Sequence, residues 1–286
     1  MKQMKNARWM LIASMTIFGT LGPFVRNIPV SSGELALYRA LLAAIFIATY
    51  LLATKQRIPF QKIKQEIPLL LASGVAMGIN WILLFEAYKY TSVSTATLSY
   101  YFAPVLVMLV SPFLFRERLT IKQVVCFVMS TLGLVLITEI GNASKSSTDF
   151  IGILFGLGAA VFYAAVILLN KFMKNTQGIH RTFLQFLAAL LTLLPYVAAT
   201  SGVTLSNVET KGWVCLLIVG LVHTGMTYCM YFTSLKELPG QKAAILSYID
   251  PLVAVLVSVL LLHETMTPRQ MVGGLFILGF TLWNEL

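Results

Sequence analysis

Apolar runs of about twenty residues, parted by short polar connections, succeed one another along almost the whole chain. In a lipid interior each run must pair its own backbone N–H and C=O groups, which favours the helix. A helix rises about 1.5 Å per residue, so roughly 20 residues cross a hydrocarbon core about 30 Å thick. By that ruler spans fall near 8–25, 32–53, 67–88, 93–115 and 121–138, and again near 151–170, 180–199, 212–233, 241–262 and 268–285. Connections as short as Arg26 to Ser31 and Arg116 to Thr120 make consecutive helices antiparallel. The expected fold class is an all-α membrane protein with ten transmembrane helices, and its first partner is the lipid bilayer. Composition agrees: 58% of the 286 residues are hydrophobic and 11% charged, against roughly 45–50% and 25% in soluble domains. Trp9 to Phe24, preceded by Lys2, Lys5 and Arg8, has the charge pattern of a signal peptide. No small-residue cleavage site follows it, so it reads as the first span.

The formal net charge of +10 raises the question of nucleic acid, but no basic cluster with interleaved aromatics is present. The placement of the basic residues answers it better. With the N-terminus in the cytoplasm, fifteen of the 21 lysines and arginines lie on the cytoplasmic side of the ten spans. Arg26, Lys89, Lys145, Lys211 and Arg269 lie outside, and Arg39 lies within a span. That bias predicts both termini in the cytoplasm of a multi-pass cell-membrane protein. Cys126, Cys215 and Cys229 each sit inside an apolar run and form neither a disulfide framework nor a zinc spacing. No G-x-x-x-x-G-K-[ST] loop occurs, and "LLHET" is not H-E-x-x-H, so no cofactor or metal is expected.

The chain also repeats itself. A shift of 147 carries Tyr101 to Tyr248, Pro104 to Pro251, Glu117 to Glu264, Thr120 to Thr267 and Gln123 to Gln270. It also carries Phe85 to Phe232, Lys89 to Lys236 and Ala96 to Ala243, and "LLAA" at 41–44 lies near the same distance from "LAAL" at 187–190. The polar stretch "GNASKSSTD" separates the halves, giving a first five-helix repeat over 1–140, a linker over 141–150 and a second repeat over 151–286. Five spans per half is odd, so the second half enters the membrane inverted. Inverted repeats are an architecture of secondary transporters, where one central site is presented to either side in turn.

"FEAYKYTSVSTATLSYYFAPVLVMLVSPFLFRERLT" and "LPGQKAAILSYIDPLVAVLVSVLLLHETMT" resemble the EamA type of the drug/metabolite transporter (DMT) superfamily. The resemblance covers essentially the whole chain, with a Pro-containing fourth helix, an acidic helix end and a Gly-rich fifth helix in each half. It implies a ten-helix inverted-repeat metabolite exporter, commonly of amino acids or related compounds. One departure stands out: the first repeat has Ala103 where the second has Asp250.

An ionisable group within a span is costly unless it faces a cavity or a partner. Arg39 lies about seven residues from the outer end of its span, roughly 10 Å deep, and His223 and Asp250 lie near mid-depth. With Asn80, Trp81, Tyr101, Tyr163, Tyr228 and Tyr248 they are the candidate substrate-binding residues. Arg39 and Asp250 can bind the carboxylate and ammonium of an amino acid, or each other. Asp250 directly before Pro251 is also the arrangement of an N-cap with proline at the first helical position, so capping stands beside the cavity role. Proton coupling through Asp250 or His223 is a further expectation, and a uniporter needs neither. Glu117 and Glu264 read as interfacial anchors or turn caps. "GVAMG" at 74–78 and "GILFG" at 152–156 read as close helix packing. The functional reading is a secondary transporter of a small organic substrate, not an enzyme. The alternative is a membrane-embedded enzyme acting on a lipid or isoprenoid substrate.

Overall fold

Chain chemistry that leaves the backbone to pair with itself gives helix almost throughout, and the described residues of the computed structural model contain no strand. Those residues are 2–58, 60–115, 120–138, 147–176, 178–205, 208–235, 237–238 and 246–286. The first half comprises α1 (Lys2–Gly19), α2 (Leu21–Arg26), α3 (Ser32–Ala53), the short α4 (Phe60–Ile63), α5 (Ile67–Tyr90), α6 (Val93–Tyr100), α7 (Ala103–Phe115) and α8 (Ile121–Thr138). The second half comprises α9 (Ser147–Phe172), α10 (Gly178–Ala199), α11 (Thr210–Leu217), a π-helical segment over Ile218–Met226, α12 (Thr227–Leu235), α13 (Ile249–Leu261) and α14 (Pro268–Glu285).

Among the described residues seven helical stretches are long and apolar enough to cross a membrane: Asn6–Arg26, Ser32–Ala53, Lys64–Tyr90, Val93–Leu114, Thr148–Phe172, Gly178–Ala199 and Thr210–Leu235. Ile121–Ile137 and Ile249–Leu261 are shorter apolar helices. This is a multi-span membrane protein. Helix α9 starts at Ser147, inside the stretch expected to be linker, and 139–146 lie outside the described residues, as do Glu117, Lys145, Lys236, Lys242 and Ala243.

Helix starts are set by local polar chemistry. Ser31 and Glu34 form a capping box at the start of α3, and Thr267 and Gln270 form another at α14. Thr120 and Gln123 exchange the same two bonds at α8 (2.9 and 3.2 Å). The repeated Thr and Gln, 147 residues apart, are thus matching caps at the starts of α8 and α14.

Polar contacts gather at the two ends of the bundle. At one end Arg26 pairs with Glu264 (2.6 Å) and donates to the Thr91 carbonyl (3.2 Å), while Thr91 donates to Asp149 (3.0 Å). Glu34 accepts from the Thr204 backbone (2.6 Å) and hydroxyl (2.7 Å) there too. At the other end Glu66 accepts from the backbone of Lys174, Asn175 and Thr176 at 2.6 to 2.9 Å, and Arg181 donates to the carbonyls of Met173 and Thr176. Between the ends the helices close on small residues. A Cβ at Gly133 would come within 2.6 Å of the Gly273 carbonyl, so α8 and α14 cross nearly backbone to backbone. Gly74 and Gly152 are similarly crowded, by Gln185 and Thr91, which fits the packing role read from their motifs.

Candidate transport site

Several helical stretches depart from regular geometry, and the departures at Tyr101 and Tyr248 face one region. The fourth span breaks at Tyr101 and Phe102, between α6 and α7, just before Pro104. The ninth breaks at Tyr248, before Pro251, at the position 147 residues on. A proline lacks the N–H that would continue the ladder, so a break beside it leaves backbone polar groups that a cavity tolerates. The Thr210–Leu235 stretch, the eighth span expected from the sequence, passes through the π-helical Ile218–Met226, a form frequent at functional sites.

Between these helices lies a cavity of about 470 Å³, within the roughly 300–1,000 Å³ of small-molecule sites. Both halves contribute. Arg39, Trp81, Tyr88, Thr97, Tyr100, Tyr101 and Pro104 come from the first, and Tyr163, Asn170, Gln185, Tyr228, Phe232, Tyr248 and Asp250 from the second. Val93, Thr97 and Tyr88, toward the Glu264 end, are buried, whereas Tyr163, Asn170, Phe232 and Ser247 are half-buried. The cavity is therefore sealed at the Glu264 end and more open toward the other.

Arg39 is 4% exposed. Its Nε donates to the Thr224 hydroxyl (2.8 Å), and its guanidinium lies over the rings of Trp81 (4.8 Å) and Phe85 (5.6 Å). Stacking on Trp81 restrains the guanidinium plane, and a cation over an indole face is stabilised by the ring quadrupole. Asp250 accepts a short hydrogen bond from the Tyr101 hydroxyl, so a side chain at one helix break reaches the other. The N-cap position of α13 belongs to Tyr248, with no side-chain cap bond, so Asp250 is not the cap, and it lines the cavity. Arg39 and Asp250 line one cavity and hold separate partners. Tyr100 stacks on Tyr163 (5.1 Å) and meets Tyr101 edge-on (5.6 Å), while Tyr228 packs against Phe18 and Phe232. The result is an aromatic chamber whose charged groups, among the described residues, are Arg39 and Asp250.

Of the nine residues singled out in the sequence, Arg39, Trp81, Tyr101, Tyr163, Tyr228, Tyr248 and Asp250 line this cavity. Asn80 and His223 point elsewhere. Asn80 donates to the Ala159 carbonyl (2.6 Å), tying α5 to α9. His223 shares a hydrogen bond with Thr20 (3.0 Å) and packs against Phe24. Gln185 and Asn170 were not anticipated. The Gln185 amide donates to Asn170 (2.8 Å) and to Ser73 (2.8 Å), and both residues line the cavity. A signal was available, because Gln185 stands 146 residues after Arg39, beside the "LLAA" and "LAAL" match.

A family model described as the EamA-like transporter family matches residues 6–139 and again 150–284. The chain belongs to the EamA-like transporter family. A Bacillus subtilis (strain 168) protein named "Uncharacterized transporter YxxF" is 34% identical over 256 residues, covering 89% of this chain and 81% of its own length. An Archaeoglobus fulgidus protein named as an uncharacterized transporter is 27% identical over 278 residues, or 96% of this chain and 95% of that one. The "Uncharacterized inner membrane transporter YhbE" of Escherichia coli (strain K12) is 28% identical over 192 residues, 64% of this chain and 58% of its own. A solved crystal structure, 17% identical, superposes with a TM-score of 0.66 over 96% of this chain and 95% of that chain, a likeness of fold. For this EamA-like transporter, as a member of the DMT superfamily, the aromatic chamber is the candidate substrate site.

Proposed function

We propose that the chain is a secondary transporter that moves a small organic metabolite, an amino acid or a related zwitterion, across the cytoplasmic membrane by alternating access. The observation that carries the reading is the cavity between the two helix breaks, with Arg39 and Asp250 set among aromatic walls. A guanidinium matches a carboxylate in planar, forked geometry, and a carboxylate matches an ammonium. The aromatic faces would hold the apolar part of the substrate, with the few polar groups fixing its orientation.

Support for two inverted five-helix repeats comes from the paired breaks at Tyr101 and Tyr248 and the paired caps at Thr120 and Thr267. The repeats would occupy 1–140 and 151–286. Export is the direction the family resemblance favours, with both termini cytoplasmic and the present conformation open toward the cytoplasm. Asp250 is the candidate for proton coupling. Relatives named as transporters argue against the enzyme reading.

Purified protein should gain thermal stability from a zwitterionic amino acid within a metabolite panel, and proteoliposomes should exchange the same compound. Arg39→Ala should remove both responses while the protein still assembles. Stabilisation by lipids alone, with no amino acid exchanged, would sink the transporter reading and raise the enzyme one.

A further inference from the structure

The two glycine pairs that close α5 and the eighth span differ in spacing by one residue. In α5 the stretch is Gly74-Val75-Ala76-Met77-Gly78, and in the eighth span it is Gly220-Leu221-Val222-His223-Thr224-Gly225. Gly74 maps to Gly220 at a shift of 146, and Gly78 maps to Gly225 at 147. The packing follows the same correspondence. A Cβ on Gly74 would meet Ala188 of α10, and one on Gly220 would lie 2.5 Å from Leu42 of α3, the residue 146 before Ala188. The eighth span has therefore gained one residue relative to its counterpart, between glycines that are both held against a neighbouring helix.

An extra residue between two fixed contacts has to be taken up by the helix itself, and a π-helical turn does this. The π-helical segment runs over Ile218–Met226 and contains the insertion. Its side-chain bonds reach back five residues: Thr224 donates to the Val219 carbonyl (2.8 Å), and Thr227 donates to the Val222 carbonyl (2.7 Å). The single hydroxyl hydrogen of Thr224 is thus committed to Val219, and the oxygen is left able only to accept. It accepts from Arg39 Nε at 2.8 Å. Thr224 is fully buried, and among the described residues neither Nη of Arg39 has a hydrogen-bond partner in the protein. One edge of the guanidinium is fixed, and the forked end is left to the cavity.

We propose that Thr224 is a positioning residue: the one-residue insertion that makes this segment π-helical aims its hydroxyl at Arg39 Nε and fixes how the guanidinium meets an anionic group of the substrate. The proposal rests on the reading of Arg39 as a substrate-binding group. Thr224→Val keeps the shape and removes the acceptor, and Thr224→Ser keeps the acceptor. The test uses the full-length protein in proteoliposomes, with counterflow of the standard L-amino acids and of their carboxamides.

For a carried amino acid, Thr224→Val should raise the apparent KM about tenfold, the scale of one lost hydrogen bond to a charged group. The maximal rate should stay within about twofold. Carboxamides should be unaffected by Thr224→Val, and Thr224→Ser should resemble the unaltered protein. A second readout needs no substrate. In protein labelled with 15N-arginine, the Arg39 Nε–H signal, assigned by its absence in Arg39→Lys, should exchange faster with water in Thr224→Val and stay protected in Thr224→Ser. An unaltered KM for carboxylates, or a protected Nε–H in Thr224→Val, overturns the proposal. Equal loss for carboxylates and carboxamides does so too, since that pattern marks a packing defect. Arg39→Ala with unchanged transport of carboxylates overturns the reading beneath it, a result distinct from failure of Thr224 alone.

Discussion

Asp250 gives one carboxylate oxygen to the Tyr101 hydroxyl, and among the described residues the other has no protein partner. That arrangement is where a substrate ammonium or a proton can be exchanged against a fixed hydrogen bond. Asp250→Asn keeps the shape and an acceptor for Tyr101 and removes the charge. If Asp250 couples protons, the variant retains substrate exchange between equal pools and loses accumulation driven by a pH gradient, measured in proteoliposomes. Gradient-driven accumulation at the unaltered level would remove Asp250 from coupling. At this scale the sequence was informative about cost and less so about direction. Arg39 and Asp250 are conspicuous because charge in an apolar run is expensive. Asn80 and His223 are equally conspicuous, yet one serves Ala159 and the other Thr20. A helix that is apolar all round, as α5 is, has no polar face to fix its rotation, so spacing cannot say which side a lone polar residue takes.

Elements sort by whether their cause is local. The caps at Thr120 and Thr267 and the breaks before Pro104 and Pro251 are written into a few neighbouring residues, and the repeat makes each visible twice. The π-helical segment is not local in this sense, because nothing in its composition marks it and only comparison with α5 exposes the extra residue. Glu264 is an intermediate case. Capping was one reading of it, yet the helix it caps is α6, 171 residues away: it accepts from the Val93 backbone (2.9 Å) and the Ser258 hydroxyl and pairs with Arg26 of α2. It joins elements of both halves at the sealed end of the cavity. Opening that end requires those elements to part, so loosening the cluster should favour the opened form. Glu264→Gln keeps a neutral acceptor and removes the ion pair, which is part-exposed and so contributes modestly, about 1 kcal/mol. In protein without its native cysteines, Thr97→Cys should then react several-fold faster with an impermeant thiol reagent added from the Glu264 side. An unchanged rate would mean that the cluster caps α6 and does not hold the cavity shut.

For the whole molecule the hydrogen bonds between connections constrain how often the chain crosses. Arg26, Thr91, Asp149, Thr204 and Glu264 each lie in or at the edge of a different connection, and the bonds of this end tie them together or to a neighbouring cap. Segments at the same end are separated by an even number of crossings. From Thr91 the broken α6–α7 leaves that end, and Asp149 at the start of α9 is back at it, so α8 is the returning crossing. Its 18 residues span about 27 Å, close to the hydrocarbon thickness. By the same parity the path from Thr204 to Glu264 leaves through α11 and α12 and returns through α13, and α14 then leaves again. Among the described residues length alone identifies seven crossings, and the parity argument favours the proposed ten. We propose, from the positive-inside bias, that the Arg26 and Glu264 end faces outside the cell. Single cysteines make this decidable in cells, in a background with Cys126, Cys215 and Cys229 replaced. Thr148→Cys and Glu209→Cys, both at exposed positions of that end, should react with an impermeant thiol reagent from outside. Lys64→Cys and Asn175→Cys, exposed at the Glu66 end, should react only after permeabilisation. Labelling of all four from one side would break the parity and with it the inverted repeat. Labelling of the second pair alone would keep ten crossings and reverse the orientation, leaving the cavity open to the outside and Glu264 sealing it from the cytoplasm.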